Sequence, residues 1–175
     1  MKEGKKVVDT PVNADLEHAI SSNWAYDHKA DVDAHHEAQP TNYKAMAHPS
    51  AAQAIVTATA TKITLDTEDY DPNANFANSR YTVAKAGYYL ILGAVGITGL
   101  ATDKYLQVLI YKNGSAVAYS MGNSSGAGWL SIPVVAILSL AVGDYIELYC
   151  LHNHGSDRDT VAANCFLAIH LISAE

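Results

Sequence analysis

The chain has 175 residues, of which 49% are hydrophobic and 17% are charged, and its formal net charge is −7. This length suits one all-β domain together with an appendage. The composition is too apolar for a disordered chain, and the longest apolar stretch, residues 132–142, is shorter than the ~20 residues of a spanning helix. Because phosphate binding depends on clustered Lys and Arg, the negative charge disfavours nucleic acid. We expect a soluble protein without membrane insertion.

Secretion and disulfide bonding are both disfavoured. The start of the chain is basic, but residues 7–19 contain no uninterrupted apolar run of the kind found in signal peptides. The chain has two cysteines, Cys150 and Cys165. A pair of buried thiols is favoured over a single bridge, which the sequence leaves open.

Residues 1–52 differ in composition from the rest of the chain, because they hold most of the histidines and no run of β-branched residues. We interpret them as a partly helical N-terminal arm. Asn13 or Asp15 would cap its helical turns and Pro40 would end them.

The arm carries one narrow apolar stripe. Leu16, Ile20 and Trp24 recur at i, i+4 and i+8, and Tyr26 follows them. A helix with so narrow a stripe does not stabilise itself in isolation. We therefore predict that these four residues bind a partner.

The same arm contains His28, His35 and His36 among aspartates, and imidazole and carboxylate are ligands for zinc or another transition metal. No cysteine and no His-x-x-x-His pair fixes a tetrahedral geometry there. A polar helix face is therefore the favoured interpretation, and a metal held by histidines around a three-fold axis is the alternative. We expect no other cofactor.

Residues 53–175 read as a succession of strands separated by turn signals. The strongest signal is Asn113-Gly114, which suits a two-residue hairpin turn because both residues tolerate positive φ. Gly143-Asp144 opens a later strand. The predicted strands are residues 55–66, 80–83, 87–96, 105–112, 116–121, 128–138, 145–151 and 161–172.

Several of these strands are apolar on both faces, for example residues 88–95 and 166–172. One face of such a strand enters the core of a sandwich, and the other must be covered by something else. Self-association is the economical way to cover it.

The order of these signals resembles the globular head of complement C-one-q, which shares its jelly roll with tumour necrosis factor. The resemblance lies in Ile63-Thr-Leu-Asp66, in Tyr70, Asp71 and Phe76, in Tyr81-Thr-Val-Ala-Lys-Ala-Gly-Tyr-Tyr-Leu90, in Leu109-Ile-Tyr-Lys-Asn-Gly114, in Leu138-Ser-Leu-Ala-Val-Gly-Asp-Tyr-Ile-Glu-Leu148 and in Asn164-Cys-Phe-Leu-Ala-Ile-His-Leu171. It implies an all-β jelly-roll sandwich of about ten antiparallel strands that assembles as a homotrimer, binds partners through outer loops and is not an enzyme. The collagen-like stalk of the animal proteins is absent, so the complement role is not carried over.

The arm is similar to segments of bacteriophage tail-fibre and other virion proteins, over the stretch from Trp24 to Ala38. Together with the head, this likeness indicates a phage virion protein made in the host cytoplasm. The head would project from capsid or tail for decoration or for attachment to a host-surface glycan or protein, and the arm would bind capsid or tail proteins. A secreted or cell-surface bacterial trimeric binding module is the alternative.

A loop before the last strand carries His152, His154, Asp157 and Asp159, and we predict that it contacts a ligand. With Ser156 it invites a Ser-His-Asp interpretation. That interpretation is disfavoured, because a triad needs a nucleophile on a rigid elbow with an oxyanion hole.

Two further patterns leave alternatives open. The loop from Asp66 to Asn75 is rich in oxygen ligands, and a loose calcium site is the alternative to a plain acidic turn. The 11 tyrosines are expected to be mostly core and interface anchors, with a platform for stacking sugars as the alternative.

Overall fold

Antiparallel β-strands make up most of the chain described by the computed structural model, which covers residues 42–126 and 128–174. In chain order they are β1 Lys44–His48, β2 Ala54–Ile55, β3 Thr61–Lys62, β4 Thr67–Tyr70, β5 Phe76–Ala77, β6 Arg80–Thr82, β7 Gly87–Thr98, β8 Tyr105–Lys112, β9 Ser115–Asn123, β10 Trp129–Leu140, β11 Tyr145–His152, β12 Arg158–Asp159 and β13 Phe166–Ala174. A short 3-10 turn, Ala162–Asn164, precedes β13. Within this part of the chain, no helix has the length and apolarity needed to cross a membrane.

The strands form two sheets that face each other. The first sheet has the order β10-β7-β13-β1-β4, and the second has the order β5-β6-β11-β8-β9 with β3 paired to β11. Strands β2 and β12 form a separate small ribbon. Neighbouring strands within a sheet are mostly distant in sequence, as in a jelly roll. The predicted all-β sandwich is confirmed.

The core lies between the two sheets and follows from the alternation of side chains along each strand. In β8, Leu106, Val108 and Ile110 are fully buried, whereas Gln107 and Tyr111 point to the outer surface and are only partly buried. The same alternation in the facing strands supplies the opposite wall of the core. The position of each residue in its strand therefore decides whether it packs inside.

The head begins earlier than the sequence predicted. Strand β1 pairs with β13 on one side and with β4 on the other, so it lies inside the first sheet and not in the arm. Its inward residues are Ala45 and Ala47, both essentially inaccessible to solvent. A strand built on alanine has no β-branched signature, which is why the sequence placed the boundary at residue 52.

The first and last predicted strands are interrupted. Residues 55–66 form two short strands, β2 and β3, with Ala58 at φ +56° between them. In the last stretch, the 3-10 turn occupies Ala162–Asn164 before β13 begins. Positive φ at a residue other than glycine is a local feature that an apolar pattern does not reveal.

The two cysteines are free thiols, as expected. Cys150 and Cys165 are both buried in the core. Burial raises the pKa of Cys150 to about 12, because a thiolate would lie in an apolar environment. These thiols therefore serve as small core side chains.

The hairpin turn at Asn113-Gly114 is confirmed and is tied to a second turn. Asn113 and Gly114 have φ of +52° and +78°. The Asn113 side-chain amide donates to Asp144 Oδ1 at 2.7 Å, and the amide oxygen accepts from the Tyr145 backbone N–H at 2.9 Å. Lys112 Nζ lies 2.8 Å from Asp144 Oδ2. These contacts join the β8–β9 turn to the turn that opens β11.

Replacement of this carboxylate tests the joint between the turns. Hydrogen bonds from Lys112 and Asn113 hold the pKa of Asp144 at about 2, below its ordinary value of 3.8. A lowered folded-state pKa means that the stabilisation is present above about pH 4 and is lost as pH falls towards 2. We expect Asp144→Asn to lower the free energy of unfolding at pH 7, because the contact with Lys112 loses its negative charge. The expected loss is only about 1 kcal/mol, because solvent screens an ion pair at the surface.

The measurement is urea denaturation of both proteins from pH 7 to pH 3. The difference between wild type and Asp144→Asn should shrink as pH falls through this window. Asp69→Asn is the matched control, because Asp69 is well exposed and makes one contact with His48; its effect should stay within about 0.5 kcal/mol. A difference for Asp144→Asn that is constant over the whole pH range would contradict the assignment.

Candidate functional site

The surface of the first sheet that points away from the core is apolar. Cross-strand pairing sets its outward side chains in rows, and one row runs from Val135 through Leu92 and Ala168 to Met46. We define the apolar face by Met46, Tyr70, Tyr88, Leu90, Leu92, Val135, Ile137, Phe166, Ala168 and Ile172.

The apolar face is open to solvent in the single chain. Ile137 is 62% exposed, Val135 is 57% exposed and Tyr88 is 48% exposed. His170 is exposed on the same face, between Leu90 of β7 and Lys44 of β1. The prediction that β7 and β13 are apolar on both faces is confirmed. A contiguous apolar surface of this kind marks an interaction site.

A second exposed apolar surface lies at the edge of the second sheet. Strand β9 pairs with β8 on one side and ends the order of the sheet on the other. Its outward side chains Val117, Tyr119 and Met121 are 43%, 66% and 58% exposed. We call these three residues the apolar edge. The sequence reasoning missed it, although the alternation of Val117, Tyr119 and Met121 with small residues was the available signal.

His152, which was predicted to contact a ligand, is fully buried. Its Nε2 lies 3.0 Å from the carbonyl oxygen of Ile55, and its Nδ1 accepts the backbone N–H of His154 at 3.2 Å. Nε2 donates and Nδ1 accepts, so both ring nitrogens have a partner when the neutral imidazole carries its proton on Nε2. His152 therefore supports the loop from beneath.

The other three predicted contact residues lie at the surface, at one end of the sandwich. His154 is half-buried, and Asp157 and Asp159 are exposed. Asp157 Oδ1 accepts the backbone N–H of Thr57 at 3.3 Å. Arg158, which sequence reasoning did not single out, binds the carbonyl oxygen of Gly99 through Nε at 3.0 Å. The structure brings these residues together, and their contact with a ligand remains a prediction.

The geometry of this loop does not resemble a catalytic triad. The two ring nitrogens of His154 face the backbone N–H of Ala101 and the guanidinium of Arg158, and neither faces Ser156. A general base must be within hydrogen-bonding distance of its nucleophile.

The oxygen-rich loop is a hydrogen-bonded turn. Asp66 accepts the backbone N–H and the hydroxyl of Ser50, both at 2.6 Å, and these bonds lower the pKa of Asp66. Asp71 Oδ2 accepts the backbone N–H of Phe76 at 2.6 Å. Within residues 42–126 and 128–174, no group of three or more His, Cys, Asp or Glu side chains is arranged to hold a metal ion. The hydrogen bonds of Asp66 and Asp71 fit an acidic turn, and the loose calcium site stays an untested alternative.

Several tyrosines serve as structural anchors. Tyr81 and Tyr89 are fully buried, and the Tyr89 hydroxyl donates to the carbonyl oxygen of Lys85 at 2.6 Å. On the outer surface of the second sheet, the rings of Tyr111 and Tyr149 stack with their centroids 4.0 Å apart. Such pairs stabilise neighbouring strands, and each ring covers one face of the other.

The same outer surface contains an ion pair that the sequence did not indicate. Glu147 is 6% exposed and its Oε1 lies 2.7 Å from Lys62 Nζ. The pair joins β11 to β3. Removing one partner would leave a buried charge uncompensated, so the pair has a structural role.

The residues predicted to bind a partner through the arm, Leu16, Ile20, Trp24 and Tyr26, lie outside the described residues. So do the candidate metal ligands His28, His35 and His36.

Comparison with solved structures identifies the class of fold. The globular domain of zebrafish complement 1qA protein superposes with a TM-score of 0.56 and 14% identity, over 75% of this chain and 98% of that chain. Eiger TNF from S. frugiperda superposes with a TM-score of 0.60 and 12% identity, over 77% of this chain and 95% of that chain. No protein-family model and no curated protein matches the sequence. The described residues therefore form a jelly-roll head similar in fold to those of complement and tumour necrosis factor-like proteins.

Substitution of the buried histidine tests its supporting role. We expect His152→Phe to lower the free energy of unfolding by about 2 kcal/mol, because the Ile55 carbonyl and the His154 N–H both lose a partner. His48→Ala is the control, since His48 contributes one exposed contact with Asp69 and should cost about 0.5 kcal/mol or less. Urea denaturation at pH 7.5 measures both, and equal effects would exclude the supporting role.

Proposed function

We propose that this chain is the homotrimeric adhesive head of a phage virion protein. The head projects from capsid or tail, and the N-terminal arm anchors it. The single observation that carries the proposal is the exposed apolar face, because a sheet with two apolar faces needs a second protein surface to cover it. A homotrimer is also what the resemblance to the complement head implies.

Three-fold symmetry requires two different surfaces on each copy. In a ring, the interface is heterologous, so the surface that one copy offers is not the surface that its neighbour offers in return. The apolar face is the larger candidate, and the apolar edge is the second. Val117, Tyr119 and Met121 are well exposed outside the apolar face. We therefore pair the apolar face of one copy with the apolar edge of the next.

The composition of the two surfaces suits a protein–protein interface. Aromatic residues and methionine are enriched at such interfaces, and charged residues are depleted from their centres. The apolar edge offers Tyr119 and Met121, and the apolar face offers Phe166 and Tyr88. Covering an edge strand also protects its unpaired backbone groups from non-specific strand addition.

The ends of the sandwich are left for binding in this arrangement. The loop that carries His154, Asp157 and Asp159 is at one such end and is exposed. Loops at the end of a rigid β-scaffold are frequent positions for recognition. A host-surface glycan or protein is the proposed ligand.

The proposed virion location rests on the likeness of residues 24–38 to virion proteins. A secreted or cell-surface bacterial binding module is the second candidate.

A charge placed in the apolar face should prevent assembly. We expect Ile137→Asp to convert a trimer into a monomer, because the carboxylate would be desolvated in the interface. Val142→Asp is the matched control: Val142 is 66% exposed, against 62% for Ile137, but it lies in the turn after β10. Native mass spectrometry measures both, and a wild-type monomer or a trimeric Ile137→Asp protein would refute the proposed interface.

Mixing two variants tests whether the interface is heterologous. Tyr119→Asp should also yield a monomer by itself. The Tyr119→Asp chain keeps its apolar face intact, and the Ile137→Asp chain keeps its apolar edge intact. In an equimolar mixture these two surfaces can form one interface, so we expect a heterodimer of twice the chain mass. If the apolar face instead paired with itself, the mixture would yield a homodimer of the Tyr119→Asp chains.

Removal of the arm separates anchoring from folding. Deletion of residues 1–39 leaves all strands of the head in place, whereas deletion to residue 52 would remove β1 from the first sheet. We expect the shorter deletion to remain folded and trimeric but to be lost from purified virions. Quantitative mass spectrometry of particles measures incorporation. Normal incorporation of the shorter deletion would refute anchoring by the arm, and absence of the full-length chain from virions would favour the second candidate.

A further inference from the structure

Two loops meet at the end of the sandwich where the predicted ligand-contact loop lies. The connection from β7 to β8 and the connection from β11 to β12 are joined by three contacts. Two are ordinary hydrogen bonds: Arg158 Nε donates to the Gly99 carbonyl at 3.0 Å, and the Tyr105 N–H donates to the Asn153 side chain at 2.8 Å. The third is made by the ring of His154, which also contacts Arg158 at the start of β12.

The ring of His154 lies between two hydrogen-bond donors. The Ala101 backbone N–H donates to its Nδ1 at 3.2 Å, and a guanidinium nitrogen of Arg158 contacts its Nε2. Arg158 has donors only and stays charged, and a backbone N–H is always a donor. A neutral imidazole has one acceptor nitrogen, so it matches one of these donors. A protonated imidazole has none and would match neither.

The charges around the ring act in the same direction. Arg158 and His152 lie on its own loop and strand, and Lys104 lies on the facing loop. Partial desolvation, followed by Arg158, His152 and Lys104, lowers the pKa of His154 from its ordinary value of 6.5. Asp157 is the adjacent carboxylate, but its Oδ1 is engaged by the Thr57 backbone N–H.

We infer that His154 is a proton-sensitive latch that holds the β7–β8 loop against the β11–β12 loop and releases it in mildly acidic solution. The latch is a property of the single chain. Its role in exposing a ligand-contact surface rests on the proposed function.

The sign of the pH dependence follows from linkage. Because the folded-state pKa is lowered, the closed latch favours the neutral ring, and the open loop binds a proton more readily. The local stabilisation is present above pH 6.5 and decreases as pH falls below that value. Acidification therefore opens the latch, and neutralisation closes it.

Hydrogen exchange at the Ala101 amide tests the latch in the full-length protein. We expect its protection factor, corrected for the intrinsic pH dependence of exchange, to fall between pH 7.5 and pH 4.5. In His154→Gln the protection should be independent of pH over this range, because the titrating group is absent. His48→Gln is the matched control and should retain the wild-type response, since His48 contacts Asp69 on the first sheet.

A second readout follows the ring itself. In an NMR titration, Arg158→Gln should move the midpoint of the His154 ring resonances to higher pH, because a neighbouring positive charge is removed. Lys104→Gln should produce a smaller shift in the same direction. A midpoint of His154 that Arg158→Gln leaves unchanged would overturn the inference.

Two exchange results would also overturn it. One is constant protection of Ala101 in the wild type. The other is a simultaneous loss of protection at the core amides of Leu106 and Val108, which would show global unfolding in place of a local opening. Native mass spectrometry of the same samples separates this inference from the proposed function. A monomer whose Ala101 protection still depends on pH would refute the proposed function and support the latch.

Discussion

The first sheet carries apolar side chains on both its faces. Strand β7, the second in this sheet, is paired with β10 and with β13 along most of its length, and it places Tyr89 and Ile91 in the core. The opposite side chains, Leu90 and Leu92, point away from that core. An exposed apolar face of this kind favours a second surface that covers it. The proposed heterologous pairing of face and edge follows from this preference, because one surface alone cannot close a ring.

The two ends of the sandwich differ in how firmly they are held, and β8 connects them. At one end, Asn113 and Asp144 join two turns through hydrogen bonds in which each donor meets an acceptor. At the other end, the loops meet at the ring of His154, where donors outnumber acceptors. The first end thus stabilises the register of the strands, and the second is free to respond to its surroundings. The end of the sandwich that carries His154 is better suited to a binding surface, because the rest of the head remains rigid when the loops at this end move.

Local sequence patterns were sufficient for the long strands and for the tight turns. Strand β8 has the predicted bounds, and Asn113-Gly114 adopts the predicted positive φ values, because both depend on residues adjacent in sequence. Strand β1 was missed since its inward residues are alanines. The contacts of the end loops were also beyond reach: the Ile55 carbonyl and the His152 ring are 97 residues apart, and nothing local to either residue indicates the other.

The pair His152 and His154 shows how strongly the surroundings of a side chain determine its role. In the sequence they are two identical residues separated by Asn153, and both were assigned to ligand contact. In the fold, His152 meets one acceptor and one donor, which its two nitrogens satisfy together, so its ring is fixed in the core. His154 meets two donors, which no protonation state of an imidazole satisfies fully. The first arrangement gives both ring nitrogens a partner, and the second makes the same loop sensitive to acid.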